Sequence, residues 1–182
     1  KPNILGIKTF PNVSLVEVAP LIDWTPFFQT WDLVGKYPNI LTDERIGSAA
    51  QDLLNDAEEM LEKILKEGWL TANGVIGFWP ANNKDFDDII LYTDDNRSEE
   101  QVTLHCLRQQ MKRTRGRPNL SLADFIAPQH ISVPDYIGAF AVAVGSETEK
   151  IARRFEESND DYNAIMIKAL ADRLAEAFAE YM

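Results

Sequence analysis

The stretch "IDWTPFFQTW", residues 22–31, places one acidic side chain, Asp23, at the start of an aromatic run. An aspartate here can start a helix, because its carboxylate accepts hydrogen bonds from the first backbone N–H groups and a proline such as Pro26 is favoured at the first helical position. It can also bind a ligand, because a carboxylate forms charge-assisted hydrogen bonds to cationic and hydroxyl groups. The residues alone favour the helix start and leave the ligand role open.

The other side chains that could perform chemistry form no catalytic or metal-binding pattern. His105 and His130 are the only histidines and Cys106 is the only cysteine, so the sequence has no zinc-binding cluster and no internal disulfide. It also lacks a glycine-rich phosphate loop, a G-x-S-x-G turn and an H-E-x-x-H motif. A structural role is favoured for His105 over hydrolytic catalysis, since no nucleophile accompanies it, and Cys106 is expected to be a small buried apolar residue. We therefore predict no catalytic residue and no metal site.

Two long segments carry apolar residues three and four positions apart, as amphipathic helices do. The first is predicted over residues 43–67, with Gly68 just past its end. The second runs to the C-terminal end of the sequence after the acidic pair Asp160–Asp161, whose charges favour the positive end of a helix dipole. These two helices are expected to flank the central part of the chain.

A shorter helix is predicted ahead of the last one. Ser146 and Glu149 have the spacing of a capping box, in which each side chain accepts a hydrogen bond from the backbone N–H of the other residue. The pattern indicates a helix that begins at this box and continues to about Glu157.

Four short segments between the helices are rich in β-branched and aromatic residues, which is typical of strands. They are "VIGFWPAN" (75–82), "DIILYT" (88–93), "VTLHCLRQ" (102–109) and "YIGAFAVAVG" (136–145), and the last is expected to be buried. The strands are predicted to be antiparallel, with Ile137, Phe140 and Val142 in or near the core. Helices combined with a block of antiparallel strands predict an α+β fold.

The charge of the chain narrows the classes of partner. The formal net charge is −11, which argues against nucleic acid and anionic membranes as partners, because both are bound through lysine and arginine. The basic cluster "KRTRGR" (112–117) is predicted to be a solvated loop. No apolar run approaches the roughly 18 residues that a membrane span needs, and the lone cysteine fits a reducing, cytoplasmic location.

Seven segments, in order, closely resemble the activation domain of cobalamin-dependent methionine synthase. They are "DWTPFFQTWDLVGKYPNIL", "GVIGFWPAN", "DDIILYTDDNRSE", "LRQQ", "LADFIAP", "PDYIGAFAV" and "DDYNAIMIKALADRLAEAFAEY". The resemblance runs from about Ile22 to the end of the sequence. It implies that residues 1–182 form a single C-shaped α+β domain, in which helices flank a bent antiparallel sheet.

The same resemblance implies a repair function in a methyltransferase of methionine biosynthesis. In that family the domain presents S-adenosylmethionine when the cobalamin cofactor has been oxidised to cob(II)alamin, so that the cofactor is reductively remethylated. The implied partners are the cobalamin-binding domain of the same enzyme, which carries the cofactor, and flavodoxin or a flavodoxin-like reductase. By itself the chain is not expected to be catalytic.

The resemblance also implies two binding residues. Asp23 matches the aspartate of the aromatic motif that contacts S-adenosylmethionine, and Glu176 in "RLAEAF" matches a second acidic contact. The carboxylates suit this ligand because it carries a sulfonium, an ammonium and hydroxyl donors.

The family's remaining ligand contacts lie in an Arg-x-x-x-Gly-Tyr segment downstream of the terminal helix, and this sequence ends before such a segment. The domain is therefore expected to be incomplete at its C-terminus, with weak or absent S-adenosylmethionine binding. The alternative is a standalone interaction or scaffold module that keeps the fold without binding the ligand.

Overall fold

The computed structural model describes residues 1–114 and 116–182. Arg115 belongs to the basic cluster predicted to be a solvated loop and lies outside the described residues. The other residues of this cluster are exposed and outside helices and strands, as predicted. The described chain groups into two compact units, a first unit of residues 1–8 and 76–139 and a second unit of residues 9–75 and 140–182. Whether residues 1–182 act as a single domain stays a prediction.

The helices all lie in the second unit apart from two short 3-10 turns at Leu122–Phe125 and Gln129–Ile131. The α-helices are α1 (Leu15–Val18), α2 (Trp24–Thr30), α3 (Gly47–Glu67), α4 (Thr148–Glu157) and α5 (Asp161–Tyr181), with 3-10 turns at Ala19–Leu21 and Asn39–Thr42. In the described part of the chain, no helix is both long enough and apolar enough to cross a membrane.

Helix α3 begins at Gly47, so the predicted start at residue 43 is wrong. The carboxylate of Asp43 instead accepts hydrogen bonds from the backbone N–H groups of Arg45 and Ile46, at 2.9 and 3.2 Å, and closes a turn ahead of the helix. Residues 44–46 form this turn, and the backbone N–H of Gly47 donates to the carbonyl oxygen of Asp43, at 2.9 Å, where the helix begins. The predicted end is confirmed, because Gly68 caps the helix in the left-handed conformation, with φ 65°.

Helix α4 ends at Glu157 as predicted, but the capping box is wrong. The residue that precedes the helix is Glu147, and no side chain caps its first turn. The hydroxyl of Ser146 donates to Oε1 of Glu147, at 2.9 Å, and the same carboxylate accepts a hydrogen bond from the hydroxyl of Thr71. The hydroxyl of Ser146 is therefore bonded to Glu147, and Glu147 is in turn bonded to Thr71, which is distant in the sequence.

Helix α5 provides much of the apolar core of the second unit. Asp160 caps it by accepting a hydrogen bond from the backbone N–H of Asn163, at 3.1 Å, and the side-chain and backbone hydrogen bonds from Asn163 lower the pKa of the Asp160 carboxyl. Its apolar stripe includes Leu170, Leu174 and Phe178, which are fully buried against residues of α2 and α3. The predicted acidic start of this helix is confirmed.

The strands form a five-stranded sheet, which confirms the α+β fold. They are β1 (Gly6–Phe10), β2 (Ala72–Lys84), β3 (Asp88–Tyr92), β4 (Glu100–His105) and β5 (Asp135–Val144). The sheet order is β1-β2-β3-β4, and β5 also pairs with β2. The pairings of β2 with β3 and of β3 with β4 are antiparallel. Strand β4 ends at His105, four residues before the predicted limit of Gln109.

Strand β5 is more exposed than its sequence predicted. Phe140 has 58% of its surface exposed, so its expected place in or near the core is wrong. Ile137 packs against the apolar cluster of the first unit and Val142 against that of the second, as predicted. A continuous apolar run does not by itself distinguish a buried strand from an exposed one, which explains the error.

The first unit has a small core built from Ala81, Ile89, Leu91 and Ala123. Cys106 packs against this cluster and is half-buried rather than fully buried. The ring of His105 is 79% exposed, and its Nδ1 lies 2.9 Å from Oδ1 of Asp88. The histidine therefore has a structural partner but is not a core residue.

Arg108 connects loops of the first unit through hydrogen bonds. Its guanidinium donates to both carboxylate oxygens of Asp124, at 2.7 and 2.8 Å, and to the carbonyl oxygen of Asn119. The hydrogen bond from Arg108, with a further bond from the backbone N–H of Ser121, lowers the pKa of Asp124 to about 2. The same pairing raises the pKa of Arg108.

This pairing predicts acid sensitivity of the first unit. A carboxylate whose pKa is depressed on folding stabilises the fold above its unfolded pKa, and that contribution is lost as the pH falls through the folded pKa. The free energy of unfolding should fall as the pH is lowered from about 4 to about 2, and Asp124→Asn should make this fall smaller, as followed by circular dichroism. Asp85→Asn is the control, because Asp85 is exposed and its carboxylate has no hydrogen bond or ion pair among the described residues. An acid transition unchanged by Asp124→Asn, or changed equally by Asp85→Asn, would contradict this prediction.

Candidate ligand-binding site

Asp23 caps α2, which confirms the helix-start prediction. Its backbone is extended, with φ −79° and ψ 112°, and Oδ1 accepts a hydrogen bond from the backbone N–H of Thr25, at 2.9 Å. The residue is exposed, and within residues 1–114 and 116–182 no donor contacts its second oxygen, Oδ2. Capping therefore occupies one carboxylate oxygen and leaves the other available to a ligand.

The aromatic residues after Asp23 fix its position. Phe27 and Phe28 are fully buried, and the half-buried Trp24 packs edge-on against Phe27, with ring centroids 5.3 Å apart. These rings contribute to the core of the second unit, so α2 is anchored by its apolar side while its N-terminus remains at the surface. The aromatic run thus positions the carboxylate.

Glu176 lies on the surface of α5 and is held by a buried arginine. Its two oxygens accept hydrogen bonds from Nη1 and Nη2 of Arg173, at 2.6 and 3.0 Å, in the two-pronged geometry that makes such pairs strong. Nη2 of Arg173 also donates to Asp172, at 2.6 Å. The pair fixes the direction of the Glu176 side chain, which itself is 62% exposed.

Arg173 was missed in the sequence. Only 7% of its surface is exposed, because it lies on the buried stripe of α5 between Leu170 and Ala177. Burial lowers the pKa of Arg173, but the hydrogen bonds to Asp172 and Glu176 outweigh this effect and raise it, so the side chain stays charged. A cation at an apolar position, three residues before a glutamate, was the signal that could have revealed it.

Asp23 and Glu176 are in the same unit, on helices that pack against each other. Helix α1 also packs on α5, where the hydroxyl of Tyr181 donates to Oε2 of Glu17, at 2.5 Å. Asp23 keeps one carboxylate oxygen without a donor among the described residues, and such an oxygen suits a cationic or hydroxyl-bearing ligand. Among the described residues, no group of three or more acidic, histidine or cysteine side chains could hold a metal ion.

Comparisons with known proteins agree with this architecture. Residues 14–182 match the family described as the activation domain of vitamin B12-dependent methionine synthase, and the chain belongs to this family. The fold is similar to that in the crystal structure of the MetH reactivation domain bound to AdoHcy, with 51% sequence identity and a TM-score of 0.92. This similarity covers 98% of the present chain and 54% of the other one, so the chain spans about half the length of that relative. The family predicted from the sequence motifs is confirmed.

Proposed function

We propose that this chain serves the reactivation of a cobalamin-dependent methionine synthase by presenting S-adenosylmethionine to the oxidised cofactor. The observation that carries the proposal is the relative with 51% identity, which was crystallised with AdoHcy. AdoHcy is the thioether that remains when S-adenosylmethionine gives up its methyl group. A surface that holds AdoHcy is therefore also able to hold most of the methyl donor.

The cobalamin, bound by another domain of the same enzyme, supplies the reduced metal centre that accepts the methyl group. One electron is required for each reactivation, and we assign its delivery to flavodoxin or a flavodoxin-like reductase. The part of the present chain is to bind and orient the methyl donor, with no catalytic residue of its own. These partners and a cytoplasmic location belong to the proposal.

Asp23 and Glu176 are the residues to which we assign ligand binding. The free Oδ2 of Asp23 can accept a hydrogen bond from an ammonium or a ribose hydroxyl, while Oδ1 keeps its bond to Thr25. Glu176 presents a carboxylate whose direction is set by Arg173. Because each carboxylate is restrained before the ligand arrives, less conformational freedom is lost on binding.

A polypeptide limited to residues 1–182 should bind S-adenosylmethionine weakly. Small-molecule sites enclose most of the ligand surface, whereas both carboxylates here are exposed. Two such contacts provide little beyond the cost of immobilising the ligand. A method that detects weak binding is therefore needed.

We expect nuclear magnetic resonance titration of the isotope-labelled chain with S-adenosylmethionine, and separately with AdoHcy, to shift the amide signals of Trp24, Thr25 and the residues around Glu176. Methionine, which lacks the adenosyl group, serves as the control ligand and should give smaller shifts. Shifts confined to other parts of the chain would contradict the site. The absence of any shift with both ligands, in this chain and in a version extended through the family's Arg-x-x-x-Gly-Tyr segment, would contradict the proposal and favour the interaction-module alternative.

A further inference from the structure

A cleft lies in the second unit, lined by residues of α4 and of the segment after α3. Its volume is about 620 Å³, within the range of roughly 300–1,000 Å³ typical of small-molecule sites. Its lining residues are Glu67, Trp69, Glu147, Lys150, Ile151, Arg154, Phe155 and Ser158. Neither Asp23 nor Glu176 lines it, so the proposed S-adenosylmethionine site does not account for this cleft.

One wall of the cleft is aromatic. Trp69 and Phe155 are half-buried, with ring centroids 6.5 Å apart and planes inclined by 54°. The indole Nε1 of Trp69 donates to Oε2 of Glu67, at 2.8 Å, which fixes the ring without covering it. Ile151 adds an aliphatic surface beside the two rings. This wall fits a planar ring, because stacked and tilted ring contacts add to the free energy gained from apolar burial.

Two cationic side chains of the cleft are available to bind a ligand. Glu147 and Glu67 also line the cleft, so its formal charges balance. The carboxylate of Glu147 already accepts hydrogen bonds from Thr71 and Ser146, and that of Glu67 accepts one from the indole of Trp69. In contrast, the exposed Lys150 and Arg154 form no ion pair within residues 1–114 and 116–182. Two unpaired cations at one cleft are notable on a chain of net charge −11.

We propose that this cleft binds a small anion that carries a planar ring, of the mononucleotide class. The ring lies against Trp69 and Phe155, and the phosphate lies between Lys150 and Arg154. A guanidinium and an ammonium are the two side-chain groups that proteins use most for phosphate, the first through paired N–H donors and the second as a point charge.

The test uses the chain of residues 1–182 with adenosine monophosphate as the probe, and with adenosine and inorganic phosphate as its two halves. Titration followed by nuclear magnetic resonance should shift the amides of Trp69 and of residues 150–155 with the nucleotide. Each half alone should bind at least about tenfold more weakly, because it lacks one set of contacts. Inorganic phosphate that binds as tightly as the nucleotide would contradict the role of the aromatic wall.

Substitutions of surface cations test whether the nucleotide binds at this cleft or is attracted by any positive charge on the helix. The double substitution Lys150→Gln, Arg154→Gln should weaken nucleotide binding by about tenfold or more. Arg153→Gln is the control for the loss of one positive charge from the same helix, because the exposed Arg153 does not line this cleft. Its effect should stay below about twofold. Equal losses in both variants, nucleotide binding unchanged by the double substitution, or no binding at all would each overturn the proposal.

Discussion

Replacing Asp23 by asparagine should weaken S-adenosylmethionine binding by about tenfold while leaving the stability of the chain nearly unchanged. Asparagine caps helices as well as aspartate does, so the hydrogen bond from the backbone N–H of Thr25 is retained. What is lost is the charge of the carboxylate, and hydrogen bonds to charged groups contribute about 1.5–3 kcal/mol each, against about 1 kcal/mol for neutral ones. The substitution therefore separates the two roles that the sequence left open.

Asp23→Ala is the comparison for this experiment. It removes the charge and the cap together, and loss of a helix cap costs roughly 1 kcal/mol. Ligand titration and thermal unfolding of both variants should thus show similar losses of affinity but a lower melting temperature for the alanine variant alone. Normal binding by the asparagine variant would mean that Asp23 only starts the helix.

Replacing Arg173 by alanine should lower the free energy of unfolding by about 2–4 kcal/mol, the second large effect that we expect. The side chain is buried on the apolar stripe of α5, so its removal leaves a cavity next to Leu170 and Ala177. The loss of its hydrogen bonds to Asp172 and Glu176 matters less, because both carboxylates are exposed and regain water. Urea denaturation measures the difference.

Arg173→Met is the matched control for this cavity. Methionine fills most of the space of the arginine stem and carries no charge into the core, and the two carboxylates that it leaves without a partner are exposed to water. We expect it to cost less than about 1.5 kcal/mol. If the methionine variant is as unstable as the alanine variant, the ion pairs and not the packing hold this part of α5 in place.

The sequence correctly predicted the helix ends that depend only on residues nearby in the chain. Gly68 ended α3 and Asp23 capped α2 as the spacing predicted, because both effects act within one helical turn. The start of α4 could not be predicted in the same way. Glu147 accepts a hydrogen bond from Thr71, which is 76 positions away in the sequence, and the hydroxyl of Ser146 donates to the same carboxylate instead of capping the helix.

The candidate site was only partly visible in the sequence. The resemblance to the family indicated Asp23 and Glu176, but a glutamate on a helix is usually a solvated residue and nothing in its type shows what orients it. Arg173 does so from a buried position that becomes clear only once α5 packs against its neighbours. The exposure of Phe140 could not be predicted for the same reason, since it depends on which side of the strand is covered.

The most direct test of the account is the reactivation reaction in a complete cobalamin-dependent methionine synthase that contains this chain. The disappearance of the cob(II)alamin absorption is followed after addition of S-adenosylmethionine and a reduced electron donor, for the unaltered enzyme and for Asp23→Asn, Glu176→Gln. Methyl transfer from the folate substrate to homocysteine, measured before the cofactor is oxidised, is the control. The double variant should be reactivated about tenfold or more slowly and should keep its initial rate of methyl transfer. Reactivation at the unaltered rate in the double variant would contradict this expectation.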